Sequence, residues 1–284
     1  FTAGSLIQVL RMPRQDCVVS MTLPPFIGLA AVLFCSLKGG SHIHWAMDIN
    51  PDEAISLGWL NEKSLLARLA KKLSGWIYRH SDWIVTLDHF MKTRLEEKYH
   101  VDASKIHVIP VWAHDQIHPV APESNPFHKN QQLQGKFVVM YSGNHSVCHS
   151  LQTLLDAALH YKNDSGLLFL FVGGGNGTKE VHRFKTTNDL SNIIQLPYQP
   201  LAHLSESLSA GDLHVAVMGD PFVGIVHPCK IYGILAVGRP FVFLGPKMSP
   251  MSEIIAENQI GYHVSHGDTK ALVSVIEKVR KLGA

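Results

Sequence analysis

Lys230 is the residue whose setting in this chain most clearly invites chemistry. It lies in the run Gly224-Ile225-Val226-His227-Pro228-Cys229-Lys230-Ile231-Tyr232-Gly233, where an irregular turn opens a short apolar helical pattern that Gly238-Arg239-Pro240 closes. A helix N-terminus carries unpaired backbone N–H groups and a partial positive charge, so anions settle there. A lysine on the first turn adds a full charge aimed at the same place, and phosphate or diphosphate suits such an arrangement. Read alone, the segment is equally a βα turn with an ordinary surface lysine. Gly143-Asn144-His145-Ser146-Val147-Cys148-His149 follows an apolar run, a position where backbone amides can cradle phosphate, although a plain βα turn has the same signature. Gly173-Gly174-Gly175-Asn176-Gly177 also follows such a run but does not fit Gly-x-Gly-x-x-Gly, so it argues little for a dinucleotide. In the first half, His44-Trp45-Ala46-Met47-Asp48-Ile49-Asn50-Pro51-Asp52-Glu53 places three carboxylates just after a strand, where they either act on a substrate or cap a helix.

These residues need a frame, and the sequence outlines one. With 284 residues, 46% of them apolar and 17% charged, the chain is long enough for two globular domains with separate cores. A net charge of +2 is too small to argue for nucleic acid. The eighteen histidines scatter, and no His-x-x-x-His or Cys-x-x-Cys pair has metal-site spacing. Cys17, Cys35, Cys148 and Cys229 are widely spread and read as reduced, buried or half-buried thiols of a cytosolic protein. The longest apolar run, Pro24–Leu37, is too short and too rich in proline and glycine to span a bilayer, and no signal peptide is visible.

Short β-branched runs alternate with longer helical patterns, the signature of an α/β protein with mostly parallel sheets. In the first half, strands are expected at Cys17–Ser20, His42–Met47, Trp83–Thr86 and Ile106–Ile109, with helices at Pro25–Leu37, Glu62–His80 and Asp88–Lys98. The stretch around 121–135 breaks periodicity and reads as a linker between residues 1–120 and 136–284. The second half restarts with a strand from Phe137, then a helix at Leu151–Tyr161 and strands at Leu167–Val172, Ile193–Leu196, Leu213–Val217 and Phe241–Leu244.

The run Pro228-Cys229-Lys230-Ile231-Tyr232, with Ala236-Val237-Gly238-Arg239-Pro240 after it, resembles the donor-diphosphate turn of glycosyltransferase family 4. The likeness is to the bacterial branch that builds surface polysaccharide and O-antigen units, such as the L-fucosamine-transferase type, and it extends over nearly the whole chain. That branch has serine where Cys229 stands. The resemblance implies a GT-B fold, two Rossmann-like domains facing a cleft, the N-terminal one on the acceptor side. Against that pattern the chain opens at Phe1 without the family's first strand and glycine-rich loop and stops at Ala284, so we expect it to lack the start of its first domain and a C-terminal tail.

The resemblance also distributes roles. Family members carry an arginine and, five residues on, a lysine in the turn occupied here by Gly143; Asn144 and His149 fall at those places and bring no permanent charge. Lys230, flanked by Pro228 and Tyr232, is then the dominant cation. Two glutamates that the family commonly shows project onto Ile225 and Gly233, so both are absent, and with them the usual ribose contact. The loop carrying Gly174 and the nearby Lys179 is implied to lie beside the donor nucleotide, and Tyr198 in Pro197-Tyr198-Gln199-Pro200 beside its base; a solvated loop and a packing tyrosine are the alternatives. Asp48 is implied to face the cleft as acceptor-orienting group or base, its alternative being an N-cap, and His44 reads as a strand histidine. Residues 63–81 combine Lys63, Arg68, Lys71, Lys72 and Arg79 with leucines and Trp76, an ordinary outer helix or one lying on an anionic membrane.

Together these readings imply a retaining, metal-independent glycosyltransferase. It would have no cofactor beyond a nucleotide-diphosphate-sugar donor, and its acceptor would be a saccharide or a polyprenyl-diphosphate-linked saccharide. It would be cytoplasmic and peripheral on the inner membrane. A GT-B sugar-nucleotide epimerase or hydrolase, or a non-catalytic nucleotide-sugar-binding homologue, are the other readings.

Overall fold

The computed structural model describes residues 2–146 and 149–283, so the expectation for Cys148 lies outside the described residues. The chain forms two compact units, Phe1–Val111 with Pro221–His227, and Trp112–Asp220 with Pro228–Ala284. The division therefore falls at Val111/Trp112 rather than in the 121–135 stretch. That stretch packs within the second unit, where Phe127 and Leu133 are buried. A short segment after the second unit's fourth strand belongs to the first unit, which a linear reading of the sequence does not anticipate.

In the first unit, β1 (Cys17–Met21), β2 (Ser41–Ala46), β3 (Trp83–Thr86) and β4 (Ile106–Val108) form a parallel sheet in chain order. Its helices are α1 (Thr2–Arg11), α2 (Ile27–Lys38), α3 (Asp52–Ser56), α4 (Leu65–His80) and α5 (His89–Tyr99). Side-chain caps set two of these starts: Ser64 Oγ accepts from the Ala67 N–H at 3.1 Å and Asp88 Oδ1 from the Met91 N–H at 2.8 Å. The core joins Ile84, Leu87, Met91 and Leu95 to Ile225 of the returning segment.

The second unit contains α6 (Pro126–Asn130), β5 (Phe137–Ser142), α7 (Gln152–His160), β6 (Leu167–Val172), α8 (Thr178–Thr187), β7 (Ile193–Leu196) and α9 (Leu204–Ser209). It continues with β8 (Leu213–Val217), α10 (Lys230–Ala236), β9 (Phe241–Leu244), α11 (Pro250–Asn258), β10 (Gly261–Val264) and α12 (Thr269–Leu282). All strand pairs are parallel, in the order β10-β9-β8-β5-β6-β7. Numbered within this unit, the order is that of a doubly wound dinucleotide-type fold, and it reverses between β5 and β8. Ligands of such sheets sit beyond the carboxyl ends of the strands at that reversal, where the turn after β5 and the segment after β8 begin.

One expectation changes. Cys17 and Cys229 are exposed and only Cys35 is half-buried, so the free thiols are not uniformly sheltered. No helix among the described residues is long and apolar enough to cross a membrane.

Buried histidines set an acid limit on stability. His42 and His44 both lie within hydrogen-bond distance of Ser20 Oγ, at 2.8 and 3.0 Å, and His214 Nε2 lies 2.9 Å from the Leu208 carbonyl. Burial pushes them down to about 4, about 3 and about 4, respectively. A histidine whose folded pKa is depressed takes its proton more readily unfolded, so stability is full above about pH 6.5 and falls as pH drops toward 4. We expect His42 and His214 each to cost about 1–2 kcal/mol between pH 7 and pH 5. Denaturant midpoints measured across that range should fall accordingly; a flat profile would show the rings to be solvated.

Candidate active site

β5 ends in a turn that only glycine can begin: Gly143 has φ 126°. Its N–H donates to the Val172 carbonyl at 2.9 Å, so this amide is already bonded within the fold and does not serve an anion, contrary to the simplest reading of the turn. A Cβ at Gly173 would lie 2.0 Å from the Gly143 carbonyl oxygen, so the loops after β5 and β6 touch backbone to backbone. The His145 N–H donates to the Gly174 carbonyl at 2.7 Å and the Gly177 N–H to the His145 carbonyl at 2.8 Å, clamping the loops together.

Lys230 enters from the other side of the strand-order reversal. Its Nζ donates to Tyr141 Oη at 2.9 Å and sits 4.0 Å from the centre of the Tyr141 ring. A Cβ on Gly143 would stand 3.5 Å from the same Nζ, so the ammonium lies directly over the turn. Among the described residues no carboxylate pairs with it. The residue as a whole is half-buried, but its amine is drawn inward, and loss of water pushes its pKa down to about 7. Lys230, Gly143, Cys229 and Tyr232 line a cavity of about 270 Å³ whose other walls include Trp112, His114 and Leu204. The seven-residue α10 contributes less through its backbone than a long helix would, because the Ile231 and Tyr232 N–H groups already reach the Pro228 and Cys229 carbonyls at 3.5 and 3.2 Å.

The remaining expected donor residues divide. Gly174 and Tyr198 come together: a Cβ on Gly174 would lie 2.9 Å from the Tyr198 ring, and Tyr198 Oη donates to the Gly174 carbonyl at 3.4 Å. Asn144 is exposed, with its Oδ1 against Gly175. Lys179 is exposed on the first turn of α8, His149 is half-buried with its N–H on the Ser146 carbonyl, and Pro228 is buried; none of the three lines the cavity. The missing glutamates have a packing reason. Ile225 is a core residue of the first unit, and a side chain at Gly233 would meet Leu208 at 3.2 Å.

In the first unit the three carboxylates part ways. Asp52 is buried, paired to Arg94 at 2.6 Å and accepting from Tyr99 Oη at 2.8 Å, while Arg94 also donates to the Val223 carbonyl; its role is to hold the returning segment. Asp48 caps no helix. Its backbone bridges Val226 and its N–H donates to Thr22 Oγ1 at 3.2 Å, whereas its half-buried carboxyl bonds to no protein group among the described residues. Desolvation, with a smaller push from Glu53, raises that carboxyl to about 6. His44 is a buried strand histidine, as expected. Sequence reasoning missed Tyr141 and the buried pair in which His227 Nδ1 lies 2.7 Å from Asp88 Oδ2.

On α4, Leu65, Leu66 and Leu69 are exposed at 72, 67 and 54%, beside exposed Lys63, Arg68 and Lys72. Lys71 pairs with Glu62 at 2.8 Å and Trp76 stacks on His80 at 4.3 Å, so the free apolar surface lies at the helix's first two turns.

Comparison with known proteins places this architecture. Residues 2–112 match the family described as Glycosyltransferase Family 4. The chain is 26% identical over 273 residues to the probable glycosyltransferase WbjE of Pseudomonas aeruginosa, covering 96% of this chain and 68% of that protein. It is 26% identical over 241 residues to the putative colanic acid biosynthesis glycosyl transferase WcaI of Escherichia coli, covering 80% of this chain and 59% of that one. Among solved structures, HepE of Anabaena in complex with UDP-glucose superposes with a TM-score of 0.77 at 16% identity, over 99% of this chain and 72% of HepE. The fold is that of the GT-B glycosyltransferases. The resemblance read from the sequence is borne out: residues 2–112 match the Glycosyltransferase Family 4 model, and most of the chain is similar to proteins described as glycosyltransferases.

Proposed function

We propose that the protein transfers a sugar, with retention of configuration and without a metal, from a nucleoside-diphosphate donor to a hydroxyl of a lipid-linked saccharide used for surface polysaccharide. The observation that carries this reading is the Lys230 ammonium, held over Gly143 at the strand-order reversal with no carboxylate among the described residues to neutralise it. As the bond from the sugar's anomeric carbon to the diphosphate breaks, negative charge grows on the leaving oxygens. A fixed cation in a partly dry site stabilises that charge most when it is largest, the task a divalent ion performs in other transferases. The acceptor oxygen forms the new bond to the anomeric carbon on the face from which the diphosphate departs, so the configuration is retained. Asp48 orients that hydroxyl and takes its proton, for which a carboxyl near 6 with no protein partner is suited. UDP is the first nucleotide to test, because HepE, of the same fold, binds UDP-glucose. Asn144, His149, Gly174, Lys179, Tyr198, Pro228 and Tyr232 belong to this reading as donor-side residues, with Gly174 and Tyr198 toward the base. Release of UDP from UDP-sugars that requires a polyprenyl-diphosphate-linked saccharide supports it; release at the same rate without any acceptor favours a hydrolase or epimerase instead.

The exposed leucines and cations of α4 suit contact with the anionic inner leaflet, where such an acceptor resides. Replacing Leu65, Leu66 and Leu69 together by aspartate should lower binding to phosphatidylglycerol-containing vesicles by about tenfold or more. Equal co-sedimentation of variant and wild type would remove the membrane contact.

A further inference from the structure

Tyr141 is fully buried near the end of β5, behind the cavity-lining Lys230, which its hydroxyl touches. Its hydroxyl is oriented at both ends: it donates to the Asn144 carbonyl at 2.9 Å and accepts from Lys230 Nζ at 2.9 Å. Its ring face lies under the same ammonium at 4.0 Å, and its ring edge meets His145 in a T-shaped contact at 5.0 Å. One side chain thus ties the turn after β5 to the lysine that arrives after β8. We propose that Tyr141 is the positioning residue of the donor site, holding the Lys230 ammonium over the Gly143 turn and keeping it protonated enough to receive a diphosphate. This inference rests on the donor reading of Lys230 given above.

The groups around the ammonium explain why such support is needed. Tyr141 faces it from β5, His145 from the adjoining turn, His114 from another wall of the cavity, and Cys229 and Tyr232 from its own segment. None is a carboxylate, and burial lowers the pKa of His145. Desolvation favours the neutral amine, whereas the tyrosine hydroxyl and ring face favour the charged one. The balance leaves Lys230 close to neutrality's edge, with its pKa pushed down to about 7. A bound diphosphate supplies the missing countercharge, so binding above that pH takes up a proton.

The test is calorimetric titration of UDP into the full chain between pH 6 and pH 9, for wild type, Tyr141→Phe, Tyr141→Leu and Lys230→Arg. Phenylalanine keeps the ring face and the packing and loses only the hydroxyl; it should weaken UDP about 5- to 10-fold at neutral pH. It should also move the fall in affinity to lower pH, because the ammonium has lost an acceptor. Leucine, if it folds, should extend both effects, and arginine should bind with little pH dependence. A purely structural role for Tyr141 would weaken binding equally at every pH, and that result, or unchanged affinity in Tyr141→Phe, overturns the proposal. Wild type that binds no UDP or any other nucleoside diphosphate overturns the donor reading itself, and the proposal with it.

Discussion

Lys230→Ala is expected to lower kcat/KM by about 30- to 1000-fold, equivalent to about 2–4 kcal/mol of lost transition-state stabilisation. The size follows from what stands around the residue. Among the described residues nothing else with a permanent charge lines the cavity: Asn144, His149 and Lys179 do not line it, and the Gly143 N–H is bonded to Val172. The variant leaves the leaving diphosphate with hydroxyls and a few backbone groups. Lys230→Arg should restore only part of the rate, because a longer, forked guanidinium presents its donors differently from the compact ammonium that bonds Tyr141 Oη over the Gly143 turn. Steady-state kinetics with saturating acceptor measures the loss. A variant within threefold of wild type, about 0.7 kcal/mol, would mean that charge on the diphosphate is neutralised elsewhere.

Asp48→Asn is expected to lower turnover by about 10²- to 10⁴-fold, the range for removal of a general base, and to leave UDP affinity unchanged. Asparagine keeps the shape and the backbone contacts to Thr22 and Val226, so the loss reports the carboxylate. The pH dependence sharpens the expectation. Asp48 must be ionised and its pKa is raised to about 6, so kcat/KM rises with pH through that value. Lys230 must be protonated and its pKa is lowered to about 7, so kcat/KM falls again above it. The result is a narrow bell for the free enzyme. In kcat the alkaline limb moves upward, because bound diphosphate raises the lysine. The Asn variant should lose the acid limb only. Retention of that limb would assign it to another group, with Glu53, also raised by burial, the first to examine.

Much of the frame was legible before the structure. Strands Trp83–Thr86, Leu167–Val172, Ile193–Leu196 and Leu213–Val217 fall where expected, because each is a short, largely apolar run between turn residues and pairs in a parallel sheet. β10 escaped notice because Gly-Tyr-His-Val is short and half polar, and α3, α6 and α9 are too short to show a period. The linker expectation failed for a tertiary reason: a proline- and asparagine-rich stretch can still be anchored, here by buried Phe127 and by Asn125 Nδ2 donating to the Glu206 carbonyl at 2.8 Å. The site was legible in part. Lys230 and the Gly143 turn are local motifs, but the tyrosine that joins them is 89 positions from the lysine. Likewise, three neighbouring carboxylates look alike in sequence. Only the Arg94 and Tyr99 contacts, from more than forty positions away, show that Asp52 is structural, while the Asp48 carboxyl has no protein partner among the described residues.

The claim that Lys230 is the counter-ion of the donor diphosphate meets its most direct test in a thermal-shift screen of UDP, GDP, ADP and CMP against wild type and Lys230→Ala. The account predicts that one nucleoside diphosphate raises the wild-type melting temperature by several degrees, as a ligand at about 100 times its Kd does, and that the shift is lost in the variant. An equal shift in both proteins would contradict it, because the diphosphate would then be held without the lysine.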